Sequence, residues 1–202
     1  MEKTKIQLSP DELLLMQNSD WILTKNSVID KISQGFGNLV ASMQQELAAA
    51  SLIDDRIILS TPKISRGEKY QGLPYVMLDY PRLFGKEDIL AIRTFFWWGN
   101  YCSITLHVKG DCHELVSGRI MSDYHQFRKS SFYISFSGNE WTHDIANENY
   151  KAIADLSQQE IGKVLPGTGF FKLAAKVAIG PWDEMEKRLF DLFLRLVEYL
   201  KT

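Results

Sequence analysis

Residues 89–108 constrain this chain more than any other stretch. Ile89 to Trp98 and Tyr101 to Val108 both read as strands, and only Gly99-Asn100 separates them. That two-residue link predicts a tight hairpin, and therefore an antiparallel pair. Alternation puts Arg93, Phe95 and Trp97 on one face, and Thr94, Phe96 and Trp98 on the other. Bulky aromatics on both faces predict a sheet covered on both sides, by helices on one side and by something else on the other.

Leu73 to Tyr80, Ser131 to Ser137 and Phe170 to Ile179 supply further strands, and Arg56 to Thr61 reads as a short β-type run ended by Pro62. Gly138-Asn139 is a second turn signal. Helices flank the sheet in sequence. Ser9-Pro10-Asp11-Glu12 is a capping box that predicts a helix from Pro10 to about Asn18. A second helix is expected from near Ser27 to Ala50, with Val28, Ile32, Phe36, Leu39, Val40, Met43 and Leu47 at helical spacing. Gly35 and Gly37 weaken it, since glycine costs a helix interior about 1 kcal/mol against alanine. Glu114 to Met121 reads as a short helix. Ser157-Gln158-Gln159-Glu160 opens another, which should stop before Pro166-Gly167.

The last helix, Pro181 to Lys201, has the clearest pattern. Glu184, Arg188, Asp191, Arg195 and Glu198 form one solvated stripe, and most of the remainder is apolar. The reading is an α+β fold. It has a mostly antiparallel sheet of about five to six strands, with N-terminal helices and one long C-terminal helix packed on one face. A single domain is expected, with a helical segment over 9–50, a sheet region over 56–179 and the C-terminal helix over 181–201.

A chain of 202 residues with 45% hydrophobic content can build its own core. A net charge of −2 lacks the basic excess that nucleic-acid binding exploits, so no nucleic-acid partner is expected. The opening residues carry no apolar signal core, and no apolar run has the 18 or so residues of a membrane span. Two cysteines, Cys102 and Cys112, are too few for a disulfide framework. No membrane association and a cytoplasmic location are the expectations.

Arg93 is the leading candidate site residue, because an arginine inside an aromatic strand must find an anion. Either it projects into a cavity and holds a ligand carboxylate or phosphate, with Phe95 and Trp97 as walls, or it pairs with an internal acid such as Asp79. The segment Lys63 to Tyr75 carries Arg66 and Tyr70 and reads as a loop over a pocket mouth, or as a solvated connector. His107, which shares a strand face with Ser103 and Thr105, completes the ligand-binding set: Arg93, Trp97, Phe95, His107, Arg66 and Tyr70.

Cys102, His107, Cys112 and His113 lie close in sequence, but Cys102 and His107 fall on opposite strand faces and no metal-ligand spacing is present. No metal and no cofactor is implied. His143 stands beside Asp144, although neighbours on an extended chain point apart. The functional expectation is a small-molecule-binding domain for an anionic or aromatic ligand. One alternative is a homodimer or interaction module using the apolar face of the C-terminal helix, which Leu194 and Tyr199 widen. Another is an enzyme that brings His107, His125 or His143 into one cleft with Arg93 or Arg128.

Overall fold

The computed structural model describes residues 5–146, 148–165 and 169–202. Their strands form one seven-stranded sheet in the order β1-β2-β3-β4-β7-β5-β6, and every neighbouring pair is antiparallel. The hairpin at Gly99-Asn100 joins β3 (Ile89–Trp97) to β4 (Tyr101–Lys109). β2 (Leu73–Phe84) flanks β3, and β7 (Phe170–Ala178) flanks β4. The fold is α+β with a long C-terminal helix.

The sheet has slightly more strands than expected, and the two not read from the sequence are β1 (Lys63–Tyr70) and β6 (Tyr150–Ala152). β1 occupies the segment read above as a loop. It is an edge strand, and its polar, charged composition suits an edge that must not pair with other chains while hiding the strand signal. Gln71 and Gly72 both adopt positive φ, 49° and 79°, in the two-residue turn that folds β1 onto β2.

Arg56–Leu59 is a helical turn, α3, and not the β-type run that its sequence suggested. Asp54 decides the matter. Its carboxylate accepts from the Arg56 backbone N–H at 2.9 Å and also takes the Arg56 guanidinium, while its carbonyl accepts from Ile57 N–H at 3.0 Å. Local bonds of this kind offer the backbone a turn in place of a ladder.

The Ser9–Glu12 box caps α1 (Pro10–Gln17) as expected. α2 (Ser19–Ala49) begins at Ser19, well before Ser27, because Asn18 caps it by accepting from Trp21 N–H at 3.2 Å. From Ile29 onward α2 buries Phe36, Leu39, Met43 and Leu47 against the sheet. Gly35 has a packing reason. Trp182, the first residue of α7 (Trp182–Glu198), lies against it so closely that a Cβ would overlap the indole. The glycine that weakens the helix pattern is the one that lets α2 and α7 approach.

α7 buries Met185, Leu189, Leu192, Phe193, Leu196 and Val197 and exposes the charged stripe. Leu194 and Tyr199 are partly buried against the core. α4 (Asp111–Ser122), α5 (Tyr124–Phe127) and α6 (Gln158–Val164), the last with its Ser157–Glu160 capping box, complete the helices around a short β5 (Tyr133–Ser135). Pro166 and Gly167, expected to end α6, lie outside the described residues.

One core cluster runs from Ile29 to Leu200 and takes Leu78, Ile92, Ile104, Leu106 and Leu173 from the helix-facing side of the sheet. Among the described residues no helix is long and apolar enough to cross a membrane.

Candidate functional site

Strand register assembles a polar row on the face of the sheet turned away from α2 and α7. Arg93 stands opposite Asp79 on β2 and Thr105 on β4. His107 stands opposite Ala91 on β3 and Lys172 on β7. Residues two apart on a strand share a face, so Phe95, Trp97 and Tyr101 extend the row as an aromatic bank. All of this is covered by residues 137–146, a segment without regular secondary structure, which we call the strap.

Side chains of the sheet hold the strap, and no β-ladder does. The Tyr70 hydroxyl accepts from the backbone N–H groups of His143 (2.8 Å) and Asp144 (2.9 Å). The Tyr101 hydroxyl accepts from Ile145 N–H at 2.8 Å. Tyr150 donates to the Thr142 carbonyl at 3.4 Å, and Lys172 Nζ donates to the carbonyls of Glu140 (3.1 Å) and Thr142. A half-buried irregular segment carries backbone groups that a ladder would otherwise satisfy, and these side chains supply the partners. Trp141 closes the outside, its ring edge-on to His107 at 5.9 Å between centroids.

Beneath the strap the guanidinium of Arg93 donates to both oxygens of Asp79, at 2.6 and 3.0 Å. Its Nη1 lies 3.0 Å from His143 Nε2. Arginine only donates, so this nitrogen of His143 accepts and the ring is neutral, with its proton on Nδ1. Burial, reinforced by the charges of Lys172 and Arg93, pushes the His143 pKa down to about 2. Burial and the charges of Lys172, Arg93 and Lys109 push His107 down to about 3. Lys172, only 2% exposed, is lowered to about 7 by burial first and by Arg93 second, against the opposing charge of Glu140.

His107 Nε2 and Glu140 Oε2 sit 3.5 Å apart, and neither makes a hydrogen bond. The space left between Arg93, Thr105, His107, His143 and Lys172 is about 10 Å³, enough for one water at most. In this closed arrangement the face offers two neutral imidazoles, one amine able to change charge near neutrality, and one paired guanidinium.

No protein-family model, curated protein or solved structure matches the chain. The reading of the site therefore rests on its own side chains.

Five of the six residues singled out from sequence meet on this face: Arg93, Phe95, Trp97, His107 and Tyr70. Trp97 does not wall an open space. The Tyr70 ring fills it, 5.3 Å from both Phe95 and Trp97 between centroids, and the Tyr70 carbonyl accepts from the Trp97 indole N–H at 3.3 Å. Arg66 is elsewhere. Its register opposite Val76 turns it toward α2, where it pairs with Asp30 at 2.5 Å. His143 joins His107 and Arg93, whereas His125 and Arg128 are exposed in and just after α5.

Lys172 and Glu140 were not singled out. Lys172 sits in Phe170-Phe171-Lys172-Leu173, where alternation alone marks it as facing away from the core; the strap that buries it is distant in sequence.

Proposed function

We propose that the protein binds a small anionic molecule, of the carboxylate or phosphate class, on the strapped face, with opening of the strap as the entry step. Lys172 carries this reading. Its ammonium is buried, and its hydrogen-bond partners among the described residues are two backbone carbonyls, with no carboxylate at ion-pair distance. A buried cation is expensive to hold without an opposite charge. Both carbonyls belong to the strap, so the group suited to receive an anion is one of those that hold the cover shut. An anion arriving there would replace the carbonyls and could also accept from His107, whose Nε2 has no partner.

The test is thermal denaturation and calorimetric titration with short mono- and dicarboxylates and with inorganic phosphate. At millimolar concentration one class is expected to raise Tm by several degrees, and Lys172→Met is expected to stay folded and lose the effect. Binding should weaken as pH rises above about 7, where Lys172 gives up its proton. Absence of any binder, or full binding by Lys172→Met, would end the reading. A cytoplasmic location goes with it, since Cys102 and Cys112 are free thiols of the kind a reducing compartment keeps.

A second reading, an interaction module, is favoured by a different element from the one the sequence suggested. α1 buries no residue, and the first turns of α2 leave Trp21, Ile22 and Leu23 exposed, next to exposed Leu14, Leu15 and Met16. Large apolar side chains left exposed in such density mark contact sites. If it joins two copies, light scattering will find a dimer that Leu14→Glu/Ile22→Glu converts to monomer. A wild-type monomer at high concentration removes the homodimer.

A further inference from the structure

We infer that the strap is a tethered competitor whose Glu140 stands where the ligand's acid group goes, and that the ligand is a monocarboxylate, not a phosphate. The inference rests on the anion-binding reading of the strapped face and names the ligand class and what regulates its entry.

Residues 137–142 fold on themselves. The Asn139 carbonyl accepts from Thr142 N–H at 3.2 Å, and its side-chain oxygen accepts from Trp141 N–H at 2.9 Å. The Ser137 hydroxyl accepts from Asn139 N–H at 3.1 Å. Asn and Ser side chains close turns in this way, and the turn carries Glu140 and Trp141 at its centre. Glu140 then meets the buried row twice. Its carbonyl accepts from Lys172 Nζ at 3.1 Å, and its Oε2 lies 3.5 Å from His107 Nε2, both atoms closed to solvent. The other strap acid is engaged elsewhere: Asp144 accepts from the Tyr101 hydroxyl at 3.4 Å and from Gln71 Nε2 at 3.2 Å.

Charge fixes the class of ligand. Beneath the closed strap two cations, Arg93 and Lys172, stand with two carboxylates, Asp79 and Glu140. Lys109, which also bears on His107, is partly exposed, and water screens it. Asp79 is committed to Arg93 through both oxygens, so lifting Glu140 away leaves Lys172 as an uncompensated buried cation. One monoanion restores the balance. A phosphate group, with about −1.5 to −2 charges near pH 7, overshoots it.

Geometry makes Glu140 displaceable. Its Oε2 and His107 Nε2 are both left without a hydrogen bond, a state that buried polar atoms seldom keep. The turn limits how far this side chain reaches. An untethered carboxylate can take an N–H from neutral His107 on one oxygen and the Lys172 ammonium on the other. The closed row leaves only about 10 Å³, so such a ligand replaces Glu140 and does not sit beside it.

The experiment titrates the full chain with propionate and with methyl phosphate by calorimetry. Glu140→Gln removes the competing charge and keeps the backbone carbonyl that Lys172 uses, so it should bind propionate about tenfold more tightly than the wild type does. Propionate should also outbind methyl phosphate. Asp144→Asn, a loss of charge on the same strap away from Lys172, should leave propionate affinity within about twofold. Wild-type propionate binding that Glu140→Gln does not tighten, an equal gain in Asp144→Asn, or a preference for methyl phosphate overturns this inference and leaves the anion-binding reading standing. Binding of neither anion by either protein ends both. Should Glu140→Gln fail to fold, hydrogen exchange on the wild type decides. Saturating propionate should speed exchange of the His143 and Asp144 amides, which the Tyr70 hydroxyl holds while the strap is down. Unchanged or slower exchange overturns the inference.

Discussion

Arg93→Leu is expected to lose about 3–5 kcal/mol of folding stability in urea denaturation. The variant leaves Asp79, whose side chain is 6% exposed, without the guanidinium that donates to both its oxygens. It also removes the donor to His143 Nε2. The penalty is that of a stranded charge and not the net worth of the pair. The double variant Arg93→Leu/Asp79→Leu should therefore recover most of the loss, since apolar residues of similar size often replace a buried pair with little cost. A single variant losing under about 1 kcal/mol would show that the pair is exposed to water in solution. Arg93 is for the same reason a poor probe of ligand binding, and Lys172 is the better one.

Acid should destabilise the protein well before its carboxylates titrate. His107 and His143 are neutral in the fold, with pKa values near 3 and 2, and each regains its ordinary value of about 6.5 on unfolding. Between pH 6.5 and the folded values, the unfolded chain therefore binds up to two more protons than the native one. The derivative of unfolding free energy with pH is then positive, and stability falls as pH falls. From pH 7 to pH 5 the two rings together should remove about 4 kcal/mol.

The groups facing them explain why neither ring accepts a proton in place. Arg93 Nη1 lies 3.0 Å from His143, Lys172 stands across from His107, and Glu140, the acid nearest His107 among the described residues, is 3.5 Å away. Lys172 acts in the same direction at higher pH. Its depressed pKa makes stability rise from about pH 7 toward its unfolded value as the buried ammonium is neutralised. Urea titrations at half-unit steps of pH test this, with His107→Gln/His143→Gln expected to flatten the curve between pH 5 and 6.5. A wild-type curve that is already flat there would mean that both rings protonate without unfolding the chain.

The parts of this fold that sequence revealed are those whose side chains obey one period. β3 and β4 alternate, α7 repeats its charged stripe, and Ser9 and Ser157 announce helices through local capping chemistry. β1 stayed hidden because an edge strand protected by charge looks like a loop. α3 misled because Asp54 turns the backbone through its carboxylate, which no hydrophobic period records.

The site divided in the same way. Alternation placed Arg93, Phe95 and Trp97 together, and Asp79 was already the named rival partner of Arg93. Alternation could not show that Tyr70 fills the space beside Trp97, or that a segment some thirty residues before Lys172 in sequence descends onto it. Those are contacts between parts of the chain that are distant in sequence, fixed by sheet order and by where the strap crosses.

The strap's mode of attachment separates the evolution of the cover from that of its platform. Four side chains hold its backbone, and the hydrogen-bonded ladders beneath do not depend on it. Substitutions at 137–146 can therefore reshape what the platform meets, or how readily it is uncovered, while β2, β3, β4 and β7 keep their register. Selection can try new covers on an old floor.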